Sequence, residues 1–305
     1  MIRVPKLCPK DAVGIVAPAG LVDASSLQKG VKAVLQMGFT PCLGRFINAK
    51  ERYLAGSDQD RAEDLMAMFQ NREIKAIFCA RGGYGVNRVL PLLKPAVIRK
   101  NPKIVLGSSD ITLLLWYLNR KCSLTAFHGP MVAASFGRRS MSESQKMLKE
   151  LLAGRVSAKK IRCPSAQTIR LGKASGVLTG GCLTLLCRSL KTPYEIRTDG
   201  TILLIEDVQE RPYRIDGMLW QLRQAGKFKN VQGVILGEMV DCHPGKHEGY
   251  SLQDVIADFF RNDDFPVLMN CPIGHGEEIW TLPLGVKAEL DSESRKLTLT
   301  DCGVI

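Results

Sequence analysis

Three separated segments of the chain carry residue types that fit one acyl-transfer device. Lys103 to Thr112 reads as a strand, a sharp turn presenting Ser109, and the start of a helix. Ile202 to Asp207 is an apolar run ending in the carboxylates Glu206 and Asp207. Pro272 to Gly276 places His275 between two glycines. A serine hydroxyl is a weak nucleophile and needs a base, and the base needs a group to orient it. Ser109, His275 and Glu206 supply those roles in the chain order serine, acid, histidine.

Each residue also has a plainer reading. Gly107-Ser108-Ser109-Asp110-Ile111 matches a nucleophile elbow except for its last glycine. Ser109 or Asp110 could equally cap the following helix. His275 is one of four histidines and could be an ordinary loop residue. Glu206, preceded by four apolar residues, needs a partner if buried. Its partner is either an imidazole or an arginine, Arg211 or Arg214, and Asp207 competes for the acid role. Arg81-Gly82-Gly83-Tyr84-Gly85 lacks the phosphate-loop pattern and matches a dinucleotide fingerprint only weakly. Its glycines fit better beside a developing oxyanion, with the backbone N–H groups of Gly83 and Asp110 as donors. Cys242-His243 and His247-Glu248 flank Pro244-Gly245 and read as a surface turn rather than a metal site. No metal and no cofactor are expected.

These residues must be positioned by a folded frame. Apolar strands alternate with helical spacing over the first half: Val13 to Val16, Leu27 to Met37, Arg61 to Phe69, Ala76 to Ala80, Val86 to Leu93, Ile104 to Leu106 and Ile111 to Asn119. That order predicts an α/β fold with a mostly parallel sheet. Sites in such sheets lie at the carboxyl ends of strands, where both the glycine loop and Ser109 fall. The expected domains are 1–153, a basic linker over 154–173, and a smaller α/β domain over 174–305. Ser140 to Leu152 reads as a solvated helix. In the second domain, strands at 176–178, 201–205, 233–236 and 266–269 interleave with helices from Tyr213 and from Leu252. A hairpin through Asp291 to Ser294 closes it.

Composition narrows the class. The chain has 305 residues, 45% of them hydrophobic and 24% charged, which suits a folded soluble protein. The N-terminal residues lack the apolar core of a signal peptide, and no segment reaches the roughly 18 apolar residues of a membrane span. A cytoplasmic protein that does not bind membrane is expected. The ten cysteines are scattered without a Cys-x-x-Cys pair, so reduced structural thiols are expected. The net charge of +12 is dispersed without a basic run. It predicts a basic solvated surface and no nucleic-acid partner.

Several motifs in order resemble the LD-carboxypeptidase family, serine peptidases that include muramoyltetrapeptide carboxypeptidase and the microcin-immunity peptidases. The resembling stretches are Val16 to Gly20, Ala55 to Asp58, Ala80 to Gly85, Gly107 to Thr112, His128 to Pro130, Gly180 to Leu183, Glu206-Asp207 with Pro212 to Asp216, and Gly274-His275 with Leu282 to Gly285. The resemblance implies a flavodoxin-like first domain and a site at the domain junction. It assigns Ser109 as nucleophile, His275 as general base and Glu206 as orienting acid. It further implies a homodimer, no metal, and a murein tetrapeptide substrate cleaved before its terminal D-alanine during peptidoglycan recycling. The chain departs from the family at Ser108, where an aromatic is common, at Cys182, where asparagine is common, and near Ile279, where a polar residue is expected. An immunity-type peptidase acting on peptide or aminoacyl-nucleotide conjugates is the alternative. A binding module without chemistry and a nucleotide-binding protein are further ones.

Overall fold

The computed structural model describes residues 1–138, 142–155, 159–246 and 248–305. Fourteen strands run through them: β1 (Ala12–Val16), β2 (Thr40–Leu43), β3 (Ile74–Cys79), β4 (Ile104–Gly107), β5 (Ala126–His128), β6 (Lys159–Arg162), β7 (Gln167–Arg170), β8 (Lys173–Cys182), β9 (Thr201–Val208), β10 (Gly233–Val240), β11 (Val267–Gly274), β12 (Leu282–Leu284), β13 (Lys287–Asp291) and β14 (Lys296–Leu299). They form two sheets in two compact units. One unit comprises Met1–Val156, Glu278–Gly285 and Cys302–Ile305, and the other Ser157–Glu277 and Val286–Asp301.

The first unit has the strand order β12-β5-β4-β3-β1-β2. Strands β1 to β5 are parallel, and β12 adds antiparallel to β5. The order 2-1-3-4-5 is that of a flavodoxin-like sheet, as expected. Its central strands are mostly apolar, with Lys75 of β3 exposed, and β4 is wholly buried. The helix Asp58–Gln70 is started by a capping box. Asp60 N–H donates to Ser57 Oγ and Ser57 N–H donates back to the Asp60 carboxylate. The order in which strands are added to the sheet reverses between β1 and β3, and the loops following both strands border that switch point.

The second unit has the order β6-β14-β13-β8-β9-β10-β11-β7. Its centre, β8 to β11, is parallel. The flanking strands are antiparallel, including the predicted hairpin of β13 and β14. The stretch read as linker carries β6 and β7, which lie at opposite edges of this sheet. Its residues 156–158 lie outside the described ones, as do Ser140 and Met141 of the solvated-helix reading and His247 of the metal reading. Seven of the ten cysteines are buried. Burial pushes the thiols of Cys79 and Cys187 up to about 12 and those of Cys122 and Cys242 to about 11. Among the described residues no helix is long and apolar enough to cross a membrane.

Candidate active site

The serine segment is built as a strained turn. β4 ends at Gly107, Ser109 takes φ +57°, and the helix Thr112–Cys122 begins three residues later. An L-residue pays on the order of 1–3 kcal/mol for that backbone region, so its surroundings must enforce it. Ser109 is half-buried between the buried Ser108 and Asp110. The capping alternative is not realised, since neither the short turn Ser109–Ile111 nor the helix Thr112–Cys122 has a side-chain cap. Asp110, 1% exposed, instead accepts the Val86 N–H at 2.8 Å through Oδ2. That bond ties the end of the glycine loop to the serine turn.

The glycine loop then packs on the serine. A Cβ at Gly82 would stand 2.8 Å from Ser109 Oγ, so only glycine fits this approach. A Cβ at Gly83 would instead meet Gly20 and Arg81. Its N–H is spent on no acceptor among the described residues. Buried Arg61 fixes the loops after β1 and β3. Its Nη1 donates to Pro18 O at 2.8 Å and Gly85 O at 2.9 Å, and its Nη2 pairs with Asp58. Burial lowers its pKa, while Asp58 opposes that shift. Sequence reasoning did not single out Arg61 or Gly82.

In the second unit Glu206 is fully buried on β9, and its Oε2 lies 2.8 Å from His275 Nδ1. With the carboxylate ionised, Nδ1–H donates and Nε2 is left to accept a proton. The imidazole is 21% exposed. Glu206 reaches it across β10, the strand between β9 and β11. There the register runs from Leu236 opposite Ile205 to Met239 opposite Asp207. Two residues, Gly237 and Glu238, therefore stand against Glu206 alone, which is a bulge. A Cβ at Gly237 would come within 3.0 Å of Glu206 Cβ, and one at Gly274 within 2.6 Å of Glu206 Oε2. The two glycines keep the crossing open.

The competing acid and arginines are engaged elsewhere. Asp207 Oδ2 accepts from both the N–H and the hydroxyl of Thr184, each at 2.8 Å, at the start of the helix Leu183–Ser189. Burial raises the Asp207 carboxyl, although those hydrogen bonds pull the other way. Arg211 pairs with Glu248 and Arg214 with Glu210. Sequence reasoning missed Glu238, whose Oε2 occupies the space a Gly276 side chain would need. Its signal was available: Val234-Ile235-Leu236 runs into Gly237-Glu238 much as Leu204-Ile205 runs into Glu206. Cys182 is buried beside Glu206 and Asp207, and burial holds its thiol well above the usual value. Ile279, in the first unit, is buried and donates its N–H to Ser144 Oγ at 2.9 Å. Cys242 is buried in its turn, and among the described residues no group of three His, Cys, Asp or Glu could hold a metal.

Two family models match the chain. Residues 13–129 match the LD-carboxypeptidase N-terminal domain and residues 175–290 the LD-carboxypeptidase C-terminal domain. The chain belongs to the LD-carboxypeptidase family. One relative, from Bacillus subtilis and named "Probable murein peptide carboxypeptidase", is 36% identical over 96% of this chain and 92% of its own. A Pseudomonas aeruginosa relative named "Murein tetrapeptide carboxypeptidase" is 32% identical over 92% of each. The solved structure of the microcin self-immunity protein MccF with glutamyl sulfamoyl guanosine superposes with a TM-score of 0.94 over 100% of both chains, at 22% identity. That likeness concerns the fold. Within the LD-carboxypeptidase family, the chain supplies a serine at a strained strand–helix turn and a histidine hydrogen-bonded to a buried carboxylate.

Proposed function

We propose that this chain is a serine-type LD-carboxypeptidase that releases terminal D-alanine from murein tetrapeptides in the cytoplasm, acting as a homodimer in peptidoglycan recycling. The observation that carries the mechanism is the Glu206–His275 pair, in which the buried carboxylate orients the imidazole through Nδ1. The names of the Bacillus and Pseudomonas relatives support the substrate class. Ser109 attacks the carbonyl of the peptide bond before D-alanine, and His275 Nε2 takes its proton. Backbone N–H groups of Gly83 and Asp110 bind the oxyanion. The imidazolium, stabilised by Glu206, protonates the leaving amine. Water, deprotonated by the same nitrogen, then hydrolyses the acyl-enzyme and regenerates Ser109.

The test offers the purified protein three disaccharide-tetrapeptides: one ending in D-alanine, its C-terminal amide, and one ending in L-alanine. Free alanine is followed by mass spectrometry. Release from the first alone is the expected result. Equal rates on all three would refute the exopeptidase reading and favour a conjugate-cleaving peptidase of the immunity type.

A further inference from the structure

We propose that Arg81 binds the free terminal carboxylate of the peptide substrate. The proposal rests on the carboxypeptidase reading above and adds the group that makes the enzyme cut only at a chain end. A carboxypeptidase must recognise the carboxylate of the residue it removes, next to its nucleophile. A planar guanidinium meets a carboxylate with two parallel hydrogen bonds, which gives direction as well as charge.

Arg81 belongs to the loop that borders the nucleophile. It follows β3 at the carboxyl end of the first sheet, beside the switch point between β1 and β3. The next residue, Gly82, is the one packed against Ser109. Arg81 Nη2 lies beside Gly83, 3.8 Å from where a Cβ would stand, so the guanidinium follows the same loop that borders the nucleophile.

The guanidinium is held in place without being neutralised. Nη1 donates to Leu21 O at 2.8 Å. Leu21 is itself fixed, since its N–H donates to Tyr53 O at 3.2 Å, and the neighbouring Gly20 N–H donates to Gly82 O at 3.0 Å. The arm is therefore set by one backbone carbonyl, and four of the five guanidinium N–H donors remain for a ligand. The side chain is exposed, and among the described residues no carboxylate pairs with it. Two neighbouring arginines on helices behave differently, since Arg61 of Asp58–Gln70 and Arg88 of Val86–Val89 both engage Asp58. Tyr84 of the glycine loop and Tyr53 of the segment after β2, with ring centroids 5.8 Å apart, stand exposed and offer an apolar wall to a small side chain.

The experiment compares the wild type with Arg81→Gln and Arg81→Lys on two substrates, the tetrapeptide acid and its C-terminal amide, with kcat and KM determined separately. The wild type should prefer the acid by on the order of 10–10² in kcat/KM, the size expected when a charge-assisted hydrogen bond is lost at an exposed side chain. Arg81→Gln should lose that factor on the acid, mainly in KM, while its rate on the amide stays within about threefold of wild type. The preference then collapses toward one. Arg81→Lys, which keeps the charge but not the fork, should retain part of it. If Arg81→Gln fails to fold, the lysine variant decides alone. A tenfold or greater fall in acid preference supports the assignment, and an unchanged preference overturns it. Equal losses on acid and amide would reduce Arg81 to a brace for Leu21 and also overturn it. Absence of alanine release by the wild type from either substrate would instead sink the carboxypeptidase reading itself.

Discussion

Ser109 and Ser108 differ in backbone before they differ in chemistry. Ser108 is extended and buried, whereas Ser109 is left-handed and half-buried with its hydroxyl against Gly82. Ser109→Ala should therefore abolish turnover, by on the order of 10⁶ for loss of a triad nucleophile, and Ser108→Ala should be mild. Steady-state rates on the tetrapeptide decide this, and the opposite ranking would move the nucleophile. The two carboxylates at the end of β9 divide in the same way. Glu206→Gln keeps the shape but favours the wrong imidazole tautomer, for a loss on the order of 10⁴ in kcat. Asp207→Asn still accepts from Thr184 through its carbonyl oxygen and should cost much less. A larger loss from Asp207→Asn would transfer the orienting role.

At the scale of elements, glycines decide which strands can cooperate. Glu206 reaches His275 only because β10 has no side chain at Gly237 and β11 ends in Gly274 at φ +109°. Alanine at either position should displace the carboxylate by a large fraction of an ångström, and misplacement of that order can cost about 10² in rate. Both variants should keep a native circular dichroism spectrum, and near-wild-type kcat would show that the crossing tolerates more than its geometry indicates. The serine turn makes a stability statement as well. Ser109→Ala and Ser109→Gly both remove the hydroxyl, but only glycine relieves the left-handed backbone. The glycine variant should resist urea better by about 1 kcal/mol, measured as a shift in midpoint at constant slope. Equal midpoints would mean that the turn relaxes once the hydroxyl is gone.

For the whole molecule, the proposed mechanism of Ser109, His275 and Glu206 sets the need for metal. Such chemistry runs on an imidazole and backbone N–H groups and needs no Lewis acid. Activity should persist after prolonged chelation, with no stoichiometric zinc by elemental analysis. Loss on chelation, restored by zinc, would remove the serine mechanism as the main account. The net charge of +12 gives a mild attraction for an anionic peptide without selecting one. Under the proposal above, selection falls to Arg81.

Much of this could be read from the chain alone. Apolar runs alternating with helical spacing marked β1, β3, β4 and β9 to β11, because strands buried on both faces cannot disguise their composition. The strand–turn–helix at Ser109 and the apolar run into Glu206 were visible for the same local reason. What the tertiary structure alone decided is long-range. Period-2 alternation places Glu206 and Asp207 on opposite faces of β9, but it does not say which face carries His275, which arrives 69 residues later. The bulge at Gly237 and Glu238, the pairing of Arg211 and Arg214 with Glu248 and Glu210, and the choice of Gly82 over Gly83 as the residue against Ser109 also depend on chain segments meeting. β6 and β7 sit in a basic stretch with little apolar content, and they become strands because the edges of the second sheet offer them hydrogen-bond partners.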